Sequence, residues 1–283
     1  MLMNSNFIKK VYTFYKNRGL ANTLDQIFKS FLLRIGLSIK LHPKKLIVNL
    51  AKARKIFNSR NLEFNSNGFW YLSPMPTEQE LDEYYKLSYW GSWQPSFCGI
   101  EIRDIRHYLI LIKFDLKFNE KKKKILNFGA GHGGISIIFN ILGHDVTNIE
   151  PSGMNNLFES NWKSFPNINN LHEEKFDLIY GSHSLEHINN LDSFNKKIKT
   201  LSTNNTLFFW EVPNADHQYS GIKENRIDIP HTYYFKKEYF KFLYNRIILL
   251  NCYNSKKANQ LPPFKFQDSF QEDGDSIIVL AKY

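Results

Sequence analysis

Residues 125–152 read ILNFGAGHGGISIIFNILGHDVTNIEPS, and the rhythm of this stretch decides the fold. ILNFG at 125–129 is an apolar run of strand length that ends in glycine. A turn containing Gly131, Gly133 and Gly134 follows, then an apolar segment to Leu142 long enough for a helix. DVTNIE at 145–150 is the next strand. Strand, glycine turn, helix and strand in this order make one β-α-β unit.

The alternation continues outward. FDLIYGS at 176–182 and TLFFWEV at 206–212 read as strands, with a helix at 191–201 between them. A short third strand is expected near Ile168–Leu171. A helix at 236–244 and strands at 246–252 and 275–282 close the chain, and a helix from Glu101 to about Leu116 precedes the unit. Apolar strands alternating with helices predict an α/β fold with a doubly wound, mostly parallel sheet. The last two strands have no good helix between them, which predicts an antiparallel C-terminal strand. Upstream, 58–75 reads as loop and short strands, and Thr77 with Glu80 three residues on reads as a helix start. The plan is a basic helical arm over 1–60, an aromatic-rich connecting or lid region over 61–100, and the main domain over 101–283.

Ligands of such sheets sit beyond the carboxyl ends of the strands, where the strand order reverses. Gly129 and Gly131 let the backbone approach a ligand there without a Cβ in the way. Glu150 ends the next strand, where its carboxylate can accept from both hydroxyls of a ribose. Gly129, Gly131 and Gly134 also satisfy G-x-G-x-x-G, with Glu150 about where a dinucleotide fold places its acid. An enzyme of a nicotinamide dinucleotide and one of a nucleoside sulfonium fit these two features equally well.

Three segments in order break the tie. ILNFGAGHGG, VTNIEPS and FDLIYGSHSLEHI resemble the first motif, the second-strand acid and the post-fourth-strand segment of the class I S-adenosylmethionine-dependent methyltransferases. The resemblance spans about Glu101 to Tyr283. It implies a Rossmann-like sheet, methyl transfer, and S-adenosyl-L-methionine as cofactor. It further implies that Gly129, Ala130 and Gly131 line the methionine part, that Glu150, with Pro151 beside it, holds the ribose, and that Ser182 and His183 lie by the sulfonium. Asn127 stands where many members carry an acid; it keeps hydrogen-bonding capacity without the charge. Glu173 and Glu174 are the candidates for the acid that contacts adenine.

Methyl transfer to a hydroxyl needs alignment in a dry pocket and a base, and histidine, titrating near ~6.5, suits the second task. His183 and His187 lie four apart, but H-S-L-E-H lacks the H-E-x-x-H arrangement, so no metal is expected. His187 reads as a structural hydrogen-bonder beneath the site, with a catalytic role as the sharper alternative. His231, in IPHTYYF at 229–235, resembles the loop of bacterial sugar methyltransferases in which a histidine precedes a Tyr-Phe pair. The C-methylating branch has Glu where Pro230 stands, and its zinc-binding cysteines are absent here, which favours O-methylation. His231 is expected as the base or an acceptor ligand, or else as a loop anchor. Tyr89, Trp90 and Trp93 are expected as a lid that stacks on sugar faces, or as a wedge between the extension and the sheet. Asn214 and Tyr233 complete the substrate-binding set. The resemblance implies a small-molecule acceptor, a saccharide or nucleotide-linked sugar of surface-polysaccharide synthesis. Two rivals stand: an NAD(P)-dependent oxidoreductase or epimerase, for which no Tyr-x-x-x-Lys pair is well placed, and a catalytically silent scaffold.

Composition bounds the rest. With 283 residues, 42% hydrophobic, the chain can bury a full core. Its net charge of +10 is concentrated in residues 1–60, where thirteen Lys/Arg face the single acid Asp25. The main domain is therefore not basic, which argues against a nucleic-acid partner. The arm reads as helices packing an apolar stripe on the domain or on a partner subunit, or alternatively as a peripheral contact with anionic membrane or glycolipid. Two cysteines, Cys98 and Cys252, build no disulfide framework. MLMNSNFIKKVYTFYKNRG lacks the apolar core of a secretory signal. A cytoplasmic protein, or one at the inner face of the membrane, is expected.

Overall fold

The computed structural model describes residues 60–84, 100–131, 133–151, 163–217 and 231–283. The arm over 1–59 and the lid residues Tyr89, Trp90 and Trp93 lie outside the described residues. The elements in chain order are strands β1 (Asn61–Asn65) and β2 (Phe69–Ser73), helices α1 (Glu78–Tyr84) and α2 (Ile102–Phe114), strand β3 (Lys124–Phe128), helix α3 (Gly134–Ile141), and strands β4 (Asp145–Ile149), β5 (Lys163–Phe165) and β6 (Leu178–Ser182). Helix α4 (Leu191–Thr200), strands β7 (Leu207–Pro213) and β8 (Tyr233–Phe235), helix α5 (Lys237–Leu243), strand β9 (Arg246–Tyr253), helix α6 (Ser255–Gln260) and strand β10 (Ser276–Lys282) follow.

Seven strands form one sheet in the order β5-β4-β3-β6-β7-β10-β9. Neighbours from β5 to β7 pair parallel, and β10 runs antiparallel to both β7 and β9. Alternation along each strand supplies two cores. Leu126, Ile149, Ile179, Phe208 and Val279 point to the face covered by Leu191, Phe194 and Ile198 of α4 and Tyr239 and Phe240 of α5. Ile125, Val146, Leu178, Phe209 and Leu280 point to the other, under Ile110 and Leu111 of α2 and Ile135 and Phe139 of α3. Each such side chain, fully buried, contributes roughly 1.5–3 kcal/mol of transfer free energy. Helices on both faces explain why these strands carry apolar residues on both sides rather than at every second position. No helix of the described residues is long and apolar enough to cross a membrane.

Two expectations are corrected. The third strand is Lys163–Phe165, not Ile168–Leu171. Pro166 follows it, and the Asn167 side chain accepts from the backbone of Asn169, folding 168–170 into a 3-10 turn. The hairpin β1–β2 also does not belong only to a connecting region. It pairs through β2 with β8 in a three-stranded antiparallel sheet, Phe69 opposite Phe235 and Tyr71 opposite Tyr233. A boundary at residue 101 cuts this sheet in two. The helix start at Thr77 is as expected, with Glu80 N–H donating to Thr77 Oγ1 and Thr77 N–H to the Glu80 carboxylate. A second capping box, Glu101 with Asp104, opens α2.

Candidate active site

At the carboxyl end of β3, the strand order reverses between β4 on one side and β6 on the other. A cavity of about 700 Å³ opens there. The glycine loop forms one wall. Gly129 adopts φ +70°, and a Cβ on it would stand 2.4 Å from Cβ of Ser184, so a side chain is excluded twice over. Gly131 differs: at φ +53° a Cβ would meet nothing within 4 Å. Its bare backbone faces open space. The Gly131 N–H donates to Oε2 of Glu150 at 2.7 Å, which ties the loop to the acid at the end of β4. Asn127, Ala130 and Pro151 also line the cavity. Asn127 Nδ2 donates to Ser136 Oγ at 2.8 Å.

The opposite wall is the segment after β6. Ser182, His183 and His187 line the cavity. His183 has φ +51°, an uncommon state for a residue with a Cβ and one that costs roughly 1–3 kcal/mol. Its N–H donates to the Glu211 carbonyl at 2.9 Å. Its ring lies between two buried carboxylates, Nδ1 3.3 Å from Glu186 and Nε2 3.7 Å from Glu211. Burial alone would push this imidazole down, but Glu211 and Glu186 together raise it above its usual value.

Glu211 was not picked out as functional by its sequence, and it lies beneath the cavity, joined to the lining residues Ser182 and His183. It is fully buried and accepts hydrogen bonds from the hydroxyls of Ser182 and Tyr253. His107 Nε2 lies 3.3 Å from it, and His107 Nδ1 is 2.7 Å from the Tyr180 hydroxyl. Burial works against this carboxylate, but His107, His183 and Arg103 hold it well below the usual range. Its partners come from α2, β6 and β9, so only folding reveals it. Arg103 itself, on α2, lines the cavity beside Asp104.

Several expected residues are placed elsewhere. Asn214 is buried away from the cavity, with Nδ2 donating to the Gly274 carbonyl at 2.8 Å and Oδ1 accepting from Asp216 N–H. Tyr233 sits in β8 with its hydroxyl accepting from the Leu191 backbone at 3.1 Å. Both are framework residues, spent on fixing loops. Glu174 is ion-paired with Lys163, and the cavity beyond β5 is lined instead by Pro166, Asn167, Ile168 and Asn169. His231 lies behind His187, buried, their rings 5.0 Å apart edge to face. Desolvation lowers its pKa to about 3.

An α/β fold with a ligand cleft at the reversal of strand order, a bare glycine loop and an acid beside it defines a nucleoside-cofactor enzyme. The profile of the methyltransferase-domain family matches residues 100–253, and the chain belongs to that family. It is an S-adenosylmethionine-dependent methyltransferase, which settles the ambiguity of the glycine motif against the dinucleotide. No curated protein matches the sequence. Among solved structures the chain is similar to an S-adenosylmethionine-dependent methyltransferase from Archaeoglobus fulgidus, at 14% identity over 63% of this chain and 94% of that one, TM-score 0.45. It is similar to another from Mesorhizobium loti, at 11% identity over 65% and 100%, TM-score 0.47. A third is the plantazolicin methyltransferase BpumL in complex with SAH and a triazolic desmethylPZN analog, at 16% identity over 84% and 97%, TM-score 0.47. The residues present fit the family's cofactor, since the cavity combines open space over Gly131 with the Glu150 carboxylate at its wall.

Proposed function

We propose that this chain methylates a hydroxyl group of a saccharide or nucleotide-linked sugar, a precursor of a surface polysaccharide. The observation that carries the reading is a single cavity walled by the Gly129–Gly131 loop and Glu150 on one side and by His187, next to the buried Glu186, on the other. Bound in that cavity, S-adenosylmethionine supplies a methyl group on a cationic sulfur.

The chain's own residues do the rest. Glu150 accepts from the ribose hydroxyls, and Asn127, Gly129, Ala130 and Gly131 hold the methionine part. Arg103 is the cation of the wall that meets a carboxylate. Ser182 and His183, both anchored to Glu211, fix the floor between donor and acceptor. The acceptor's proton is lost at the Glu186–His187 wall, and assistance to that loss is worth roughly 10²–10⁴ in rate. The basic arm would bring the enzyme to an anionic glycan or lipid surface, and the Tyr89–Trp93 segment would stack on the sugar.

The test is product analysis. The protein is incubated with S-adenosylmethionine and a panel of nucleotide sugars, and products are read by mass for the gain of one methylene and by fragmentation for its position. Oxygen-linked methyl on a sugar is the expected result. Turnover confined to amines, thiols or carbon acids overturns the proposal.

A further inference from the structure

Behind the acceptor wall lies a cluster whose hydrogen bonding is incomplete. Glu186 is 1% exposed, and neither of its carboxylate oxygens has a hydrogen-bond partner; nor does Nδ1 of the buried His231. A buried carboxylate with spare acceptor sites calls for a further cationic partner. Two imidazoles stand within ion-pair distance of it, His183 Nδ1 at 3.3 Å and His187 Nε2 at 3.9 Å from Glu186 Oε1.

The backbone brings these side chains together by direct bonds. Thr232, next to His231, donates both its N–H and its hydroxyl to the Glu186 carbonyl, at 2.8 and 2.9 Å. The Thr232 carbonyl in turn accepts from Leu72 in β2. A loop remote in sequence is thereby pinned to the turn that carries Glu186 and His187. One ligand atom from each of Glu186, His187 and His231 lies within 4.8 Å of the other two.

We propose that Glu186, His187 and His231 bind a divalent transition-metal ion at the acceptor end of the cleft. Two imidazole nitrogens and one carboxylate form a donor set suited to Zn²⁺, Mn²⁺ or Fe²⁺. Bond lengths of roughly 2.0–2.2 Å put ligand atoms roughly 3–3.5 Å apart, so the three side chains draw in by about 1 Å on binding. His187, the member of the set that lines the cavity, puts the ion next to the acceptor end of the cleft. Resting on the hydroxyl reading above, its role is to polarise the acceptor O–H, the electron pair staying on oxygen and the proton passing to water. The ion site itself does not depend on that reading. The spacing of H-S-L-E-H pointed away from a metal because the third donor comes from a distant loop.

The experiment uses the full chain without an affinity tag, stripped by chelator and titrated with Zn²⁺ or Mn²⁺. Binding is followed by calorimetry and, for Mn²⁺, by electron paramagnetic resonance. One equivalent per chain is expected, weakened at least tenfold by Glu186→Gln and by His231→Gln. S-adenosylhomocysteine affinity should stay within twofold in both variants, which certifies their folding. A rise of the wild-type melting temperature with added ion gives a reading that needs no variant. Absence of stoichiometric binding by wild type, or full affinity in both folded variants, overturns the site. Metal bound with no methylated hydroxyl overturns only the acceptor reading.

Discussion

Replacing Glu211 by Gln removes one charge and almost no volume from the buried network beneath the site. The carboxylate takes the Ser182 and Tyr253 hydroxyls and stands 3.3 Å from His107 and 3.7 Å from His183. Hydrogen bonds to a charged group contribute roughly 1.5–3 kcal/mol each, and breaking a buried ion pair costs roughly 3–5 kcal/mol. Gln keeps one carbonyl acceptor, so a loss near the low end, about 3 kcal/mol, is expected at pH 7. With a urea slope near the upper part of the ~1–3 kcal/mol/M range for a chain of this size, the midpoint falls by about 1 M. The pH dependence carries a sign for each group. Glu211 titrates below its unfolded value, so its stabilisation is complete above the unfolded carboxylate range and drains away as the pH falls through the lower folded value. Wild type and variant therefore converge in acid. His183 titrates above its unfolded value, so its share is complete below the usual 6.5 and is lost as the pH rises through the folded value. In Glu211→Gln the His183 titration, followed by NMR of the labelled ring, should move down. Equal urea midpoints at pH 7 together with an unmoved His183 titration would refute the reasoning.

Other expectations follow from single contacts. Glu150→Gln should weaken S-adenosylhomocysteine binding by roughly 10- to 100-fold in calorimetry with little change in melting, because it removes a charged acceptor worth roughly 1.5–3 kcal/mol. Gly129→Ala forces a Cβ to 2.4 Å from Ser184 at φ +70°; cofactor affinity should fall by more than tenfold, and retained affinity would mean the loop is looser than its geometry. Phe208→Ala empties a fully buried position on the central sheet and should cost about 3–5 kcal/mol in denaturation while a folded fraction still binds cofactor normally.

The sheet was legible in the sequence because a strand covered on both faces is largely apolar, and the loop at the cavity is glycine-rich. ILNFG and FDLIYGS announced β3 and β6, and the acid of VTNIE fell at the end of β4 as expected. What stayed hidden depends on side chains meeting from distant segments. Glu211 looked like the last polar residue of an apolar strand; its meaning comes from His107 on α2 and Tyr253 on β9. Asn214 and Tyr233 sit in framework bonds outside the cavity lining, since a polar side chain near a strand end serves equally well for gripping backbone. The third strand was misplaced because Asn167 offers its own side chain to the following turn, a local bond that hydrophobic patterning does not register. IPHTYYF suggested a loop, but Tyr233–Phe235 pairs with β2, a register that only the second strand could reveal.

That pairing sets where the enzyme can be trimmed. The family profile begins at residue 100, and a chain cut there would look complete on paper. It would lose β1 and β2, leaving β8 as a naked sheet edge with its backbone donors and acceptors turned to solvent. Phe69, which packs edge-on to Tyr233 and Tyr239, would go with them, uncovering aromatic surface. Shortened versions should therefore clump or domain-swap through that edge, and Thr232 would lose its tether to Leu72. Expression work on relatives is better started upstream of Arg60, whose guanidinium clasps Glu80 and the Pro74 carbonyl, than at the conventional domain border.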